Sequence, residues 1–403
     1  MFNREFIRGG LILVFCFGVA NLINFAFHLS MARFLSVADY GLLATLLAII
    51  YLLSILSESV QTIVSKNASN KEVDVLGVMN RSMRKMMRPA LLLFATYLIV
   101  SIPLSVFLDI PYFLLSLNGL MIFGSLYMPI NRGLLQGKKR FLPLGGNMVI
   151  ESVGKLALSL VLVIIGFAVY GAIIGGLLGA GLAYAVSFIN LKPLFNRSKK
   201  LVKKEIEYNY DKKSFLTIFS IMTFFAIDIV VARIVFEPSV VGTYAIASTI
   251  AKTIFFATMP VGKAMFSFTA EKSSAEKSEK VFLNALTFIG FGIIVALTMF
   301  YFFPGLWVFI FSGKHLPLAA GSLFILGIAY SLISLTNLVL LYKISIGNVR
   351  HIWLIVLMPV IEVVLLFIFS KNIMQFSFAL VTSSALFLWV SLSSDYSYSR
   401  RHK

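Results

Sequence analysis

Residues 31–44 read MARFLSVADYGLLA, and residues 231–245 read VARIVFEPSVVGTYA. Each phrase carries an arginine and an acidic residue through the junction of two long apolar runs. The two phrases align. Ala32–Arg33 matches Ala232–Arg233, Gly41 matches Gly242 after one inserted residue, and His28 falls opposite Asp228. A second echo sets Gly137-Lys-Lys-Arg140 against Gly347-Asn-Val-Arg350. Phrases that return about two hundred residues later point to two halves built on one plan.

Composition says what the halves are made of. Of 403 residues, 59% are hydrophobic and only 13% are charged, with a mean hydropathy of +0.93. A soluble globular chain carries about 25% charged residues, and one aqueous core cannot hide this much apolar side chain. The chain reads as an all-α integral membrane protein. A helix needs about 20 apolar residues to cross about 30 Å of hydrocarbon. Twelve runs qualify: 9–32, 41–64, 89–108, 112–131, 144–166, 169–190, 214–236, 241–265, 281–303, 317–341, 352–369 and 373–393. Only the short turn around Gly166–Gly171 separates the fifth from the sixth. The first run is too long for a signal-peptide apolar region and lacks a small-residue cleavage site, so it is expected to be retained.

Basic residues orient the spans. Of the 35 Lys and Arg residues, 28 lie at the N-terminus, in every second loop (65–88, 132–143, 191–213, 272–280, 343–350) and in the tail. Arg33, Arg233, Lys314 and Lys371 fall on the other side. The positive-inside rule then places both termini in the cytoplasm of a multi-pass cell-membrane protein. The formal charge of +18 is therefore mainly a topology signal and does not call for nucleic acid. The basic segment 191–213 also suits contact with anionic membrane lipids.

The expected organisation is a six-helix lobe at 1–190, a basic cytoplasmic linker at 191–213, a second six-helix lobe at 214–393 and a cytoplasmic tail at 394–403. Six is even, so both lobes enter from one side and are parallel repeats, a plan that places transport sites between halves. Arg33 and Arg233 then occupy equivalent places. Either they snorkel to the headgroups, or they give positive charge to a cleft lined by the first helix of each half.

Ionisable groups inside spans are costly, by at least about 2.5 kcal/mol on insertion scales. Glu58, Glu151, Lys155, Asp228, Lys252, Lys263 and Glu362 are such groups. Glu151 and Lys155 are four apart on one helical face and are expected to pair with each other. Lys263 lies within snorkelling reach of the cytoplasmic headgroups. Glu58, Asp228, Lys252 and Glu362, with Asn24 and His28 on the first helix, are expected to face water between the halves. The run GAIIGGLLGAG (171–181) follows no strand, so it is a close-packing stripe and not a dinucleotide fingerprint.

Several chemistries are not signalled. One cysteine, Cys16, excludes a disulfide within the chain and a cysteine-based zinc site. The four histidines are scattered, so no metal is expected. No Walker A, H-E-x-x-H or G-x-S-x-G motif occurs, and the loops are short and basic. This suits a conduit better than an enzyme.

Three stretches carry a resemblance. ARFLSVADYGLLA (32–44) resembles the "ARxLGPxDYGLxA" pattern of polysaccharide exporters and O-antigen-type lipid-linked oligosaccharide flippases, in the multidrug/oligosaccharidyl-lipid/polysaccharide (MOP) superfamily. DIVVARIVFEPSVVGTYAIAS (228–248) is similar to that family's helix 7 segment, and RGLLQGKKRF (132–141) to its "RGxLQGxxRF" segment after helix 4. The phrases at Phe34–Val37 and Phe236–Pro238 depart from the usual Leu-Gly-Pro, and twelve spans contrast with the fourteen of some members. The resemblance implies two six-helix lobes in a V around a central cavity that opens alternately to each side. It implies a polyprenyl diphosphate-linked glycan as cargo, delivered by glycan assembly enzymes. It also matches Asp228 to the family's helix 7 acid and Arg33 to its helix 1 arginine.

These expectations place Arg33, Arg233, Lys252, Asn24, His28 and Asp228 at the substrate, with Arg forks suited to phosphate oxygens. Asp228, Glu58 and Glu362 are the candidates for Na⁺ or H⁺ coupling, and no other cofactor is called for. The lead function is a lipid-linked oligosaccharide flippase. A Na⁺- or H⁺-coupled multidrug cation antiporter of the same superfamily remains as the alternative. A membrane glycan ligase or polymerase is disfavoured by the short outer loops.

Overall fold

The structure is a computed structural model that describes residues 4–52, 54–69, 74–195, 212–270, 275–348 and 352–393. Residues 196–211 of the basic linker, the tail 394–403 and Arg350 of the second echo lie outside the described residues. Among the described residues there is no strand. Helices α1 (Arg4–Phe34), α2 (Val37–Tyr51), α3 (Ser54–Ala68), α4 (Val75–Phe107), α5 (Tyr112–Gly119), α6 (Met121–Gly137), α7 (Phe141–Leu162) and α8 (Ala168–Phe195) precede the linker. Helices α9 (Lys212–Val235), α10 (Pro238–Ala270), α11 (Ala275–Phe302), α12 (Pro304–Ser312), α13 (Pro317–Ser345), α14 (Ile352–Ile368) and α15 (Ile373–Ser393) follow it.

Ten helical runs among the described residues are long and apolar enough to cross a membrane. One of them, Phe141–Phe195, has 55 residues, enough for two crossings. It turns at a π-helical segment, Val163–Phe167, where Gly166 takes φ 107°. That left-handed backbone suits glycine alone. The shorter apolar helix α14 completes twelve.

Local chemistry sets the element ends. Ser36 caps α2: its hydroxyl oxygen accepts from the Asp39 amide at 3.1 Å, while the hydroxyl donates to the Asp39 carboxylate at 2.7 Å. Asp39 therefore interrupts the apolar sequence as part of a helix cap. Asp74 caps α4 by accepting from the Leu76 and Gly77 amides at 3.0 and 2.8 Å. With this cap α4 starts at Val75, so most of segment 65–88, expected as a loop, is helix. Arg81, Arg84, Lys85 and Arg88 ride on its opening turns. Proline opens α10, α12 and α13. Gly313, with φ 67°, ends α12, a short helix absent from the span count.

The chain forms two compact units. The first holds Met1–Leu35 and Ile49–Tyr210; the second holds Ser36–Ala48 and Asp211–Lys403. The opening of α2 thus belongs with the second unit, although its sequence neighbours belong with the first.

In the first unit, α3 packs on α6, α7 on α8, and α1 on α7. Small residues permit the close approaches. A Cβ on Gly133 would stand 2.7 Å from the Gln61 carbonyl, and one on Gly175 would overlap the Ser159 backbone. Gly179 lies against the backbone of Lys155, as the small-residue stripe predicts. In the second unit, α10 packs on α13, α13 on α15, and α14 on α9 and α15. Helices α10 and α13 are its most covered spans, whereas α11 leaves Phe288, Phe291 and Ile294 exposed.

Candidate functional site: two buried polar clusters

The second unit gathers its polar side chains around Asp228 of α9. Helix α10 presents Tyr244, Ser248 and Lys252 at a stride of four, so all three lie on one face. Tyr244 and Ser248 donate to Asp228 Oδ2 at 2.8 and 3.0 Å. Tyr330 of α13 donates to the same oxygen at 2.6 Å. Lys252 Nζ meets Asp228 Oδ1 at 3.0 Å and also faces the rings of Phe225 and Tyr330, at 4.9 and 5.3 Å from their centroids. One carboxylate thus receives four donors, which is what a buried charge requires to be tolerated.

Glu362 of α14 lies within electrostatic reach of Asp228 and Lys252. It is fully buried, and neither of its carboxyl oxygens has a hydrogen-bond partner among the described residues. The cluster therefore contains one matched ion pair and one further acid without donors. Chemically, Glu362 is the group in it that can hold a proton or a small cation without first breaking the Asp228–Lys252 pair.

The first unit has a second cluster between α1 and α7. Asn24 donates its amide to the Ala20 carbonyl at 3.0 Å and to Ser152 Oγ at 3.1 Å. Its carbonyl accepts from Lys155 Nζ at 3.2 Å. Phe27 places its ring 4.0 Å beneath that ammonium. The expected Glu151–Lys155 pair is not formed. Arg132 of α6 takes Glu151 at 2.5 Å and Asn147 at 2.8 Å. A guanidinium can bond both side chains at once, whereas the Lys155 side chain extends toward α1.

The remaining candidates are dispersed. His28 packs edge-on to Phe27 with ring centroids 5.3 Å apart. Arg33 is exposed on the last turn of α1, while Arg233, its equivalent in the repeat, is buried on the last turn of α9. Glu58 is exposed on α3 and belongs to the other unit from Asp228 and Glu362. Asp228, Lys252 and Glu362 were expected to face water; instead they are 0%, 7% and 0% exposed, because they and the tyrosines cover one another. Tyr244, Ser248 and Tyr330 were not anticipated. The stride of four on α10 was a readable signal for the first two, whereas nothing local marks Tyr330. Among the described residues no group of three or more His, Cys, Asp or Glu could hold a metal ion.

Comparison with known proteins adds three findings. The profile of the family described as Polysaccharide biosynthesis protein matches residues 6–266. No curated protein sequence matches the chain significantly. Among solved structures, an inward-facing multidrug resistance MATE family transporter of the MOP superfamily superposes with a TM-score of 0.68 at 15% identity, covering 98% of this chain and 100% of that one. An outward-facing multidrug resistance MATE family transporter gives 0.64 at 16% identity, covering 99% and 96%. A MOP superfamily transporter from Pyrococcus furiosus, described as having a binding pocket of reverse polarity that suggests a different function, gives 0.59 at 16%, covering 98% and 96%. At these identities the likeness shows the fold: the twelve-helix arrangement of the MATE transporters.

Proposed function

Because the chain belongs to the polysaccharide biosynthesis protein family, we propose that this multi-pass membrane protein flips a polyprenyl diphosphate-linked glycan across the cytoplasmic membrane by alternating access. In this reading both termini are cytoplasmic, and the cargo arrives from the enzymes that assemble the glycan. The supporting observation is the charge balance inside the spans. Glu151 is matched by Arg132 and Asp228 by Lys252, whereas Lys155 forms no salt bridge among the described residues. In the first unit the unmatched group is thus a cation, which favours an anionic cargo there, whereas in the second unit it is the acid Glu362. Arg33 and Arg233 add positive charge at the ends of α1 and α9.

The second reading is an antiporter of organic cations driven by Na⁺ or H⁺. Glu362 favours it, as a buried acid without donors. In the flippase reading the same group would carry the coupled ion. The Lys252 pair makes Asp228 a poorer cation ligand, because its negative charge is already matched.

Reconstituted protein separates the readings. Thermal unfolding is followed with a polyprenyl diphosphate oligosaccharide and with a panel of organic cations. Selective stabilisation by the lipid-linked sugar, weakened in Arg33→Ala and Arg233→Ala, supports the flippase. Stabilisation by the cations alone rejects it in favour of the antiporter.

A further inference from the structure

Lys155 is held differently from the other charged groups in the first unit. Its ammonium has three N–H donors. One reaches the Asn24 carbonyl at 3.2 Å, and the Phe27 ring lies 4.0 Å away. Glu151, one turn earlier on α7, is within electrostatic reach but is engaged by Arg132. The arrangement is built. Both amide hydrogens of Asn24 are already donated, to Ala20 and Ser152, so its carbonyl is directed at the lysine. Gly179 of α8 lies against the Lys155 backbone, which leaves the base of the side chain little room to shift. The residue is half-buried, and among the described residues its ammonium is met by one hydrogen-bond acceptor and one ring face.

We propose that Lys155, oriented by Asn24, is an anion-binding site of the first unit, and that it takes a phosphate of the cargo's diphosphate. The substrate assignment rests on the flippase reading above. An ammonium at membrane depth without a counter-charge is unfavourable. An amide carbonyl and an aromatic face offset part of that cost. The two remaining N–H donors are matched by phosphate oxygens, which lysine binds as a point charge. Arg132 has a role in this scheme: by holding Glu151 it keeps the nearest carboxylate from neutralising the lysine.

The test uses the full chain in lipid nanodiscs, with four probes: a polyprenyl diphosphate, inorganic pyrophosphate, an anionic phospholipid and an organic cation. Two variants are compared with the wild type. Lys155→Met removes the charge and keeps the volume. Asn24→Asp leaves the lysine and places a carboxylate beside it. The expected result is at least about a tenfold weaker affinity for the polyprenyl diphosphate in both variants, with organic-cation binding unchanged or improved. Competition by inorganic pyrophosphate would identify the headgroup as the bound part; competition by phospholipid alone would identify a bilayer lipid instead. If the wild type binds the diphosphate and both variants bind it equally well, the inference is overturned while the flippase reading stands. If the wild type ignores the diphosphate but binds phospholipid through Lys155, the site stands and the cargo assignment fails. If no anion binds the wild type, both are rejected. Should Lys155→Met fail to fold, Asn24→Asp alone decides, since a merely structural lysine would bind anions no differently beside an aspartate.

Discussion

Gly41 and Gly242, the glycines that align in the two repeated phrases, lie against each other in the second unit. A Cβ on Gly41 would stand 2.7 Å from the Gly242 nitrogen, and one on Gly242 would overlap the Val37 carbonyl. The echo is therefore a contact as well as a resemblance: each phrase supplies the small residue that lets the other's backbone approach. Nearby, Tyr40 bonds Thr249 at 3.1 Å, which ties the opening of α2 to α10.

Replacing either glycine with alanine should overpack this contact at a cost of about 1–3 kcal/mol. Both obstacles are backbone, and Gly242→Ala should be the more damaging, because its Cβ would overlap the Val37 carbonyl oxygen, whereas one at Gly41 would stand 2.7 Å from the Gly242 nitrogen. Unfolding of the purified protein in detergent checks this. A wild-type midpoint for Gly242→Ala would mean that the two backbones do not meet.

Lys252→Met should destabilise the protein by about 3–5 kcal/mol, since it leaves the Asp228 carboxylate buried without its cation. The tyrosine and serine donors remain, so the lower end of that range is expected. Adding Asp228→Asn should recover most of the loss. A double-mutant cycle measures the coupling, and strictly additive effects would contradict the 3.0 Å pair.

Glu362→Gln keeps the shape of a neutral carboxyl. If Glu362 carries the coupled proton, transport by this variant should lose its pH dependence while the unfolding free energy changes by less than about 1 kcal/mol. The groups that bear on Glu362 are Asp228 from α9 and Tyr244 and Lys252 from α10. Transport that retains the wild-type pH profile in Glu362→Gln would assign the coupling elsewhere. Glu58 would then be tested next, as an exposed acid on α3 of the first unit.

Parts of the site were legible in the sequence for local reasons. Ser36 and Asp39 stand three apart before an apolar run, which is the signature of a helix cap. Tyr244, Ser248 and Lys252 repeat at the helical stride, and Gly175 and Gly179 announce a close contact. Partners on other helices were not legible. Glu151 has Lys155 one turn away in sequence, but Arg132 reaches it first in space. Tyr330 lies 102 residues from the aspartate it bonds, within an otherwise ordinary span.

The sequence by itself determined the membrane class and the set of long apolar helices. These follow from run length, from the cost of moving charge through hydrocarbon and from local capping, and all of them are read along one strand of chain. Tertiary structure alone decided which charges are matched. It joined Asp228 to Lys252 and Tyr330, gave Glu151 to Arg132, and left Lys155 with an amide and an aromatic ring. The physical reason is that ion pairs and buried hydrogen bonds act over a few ångströms between faces of different helices, and a helix's sequence does not state which neighbour its polar face will meet.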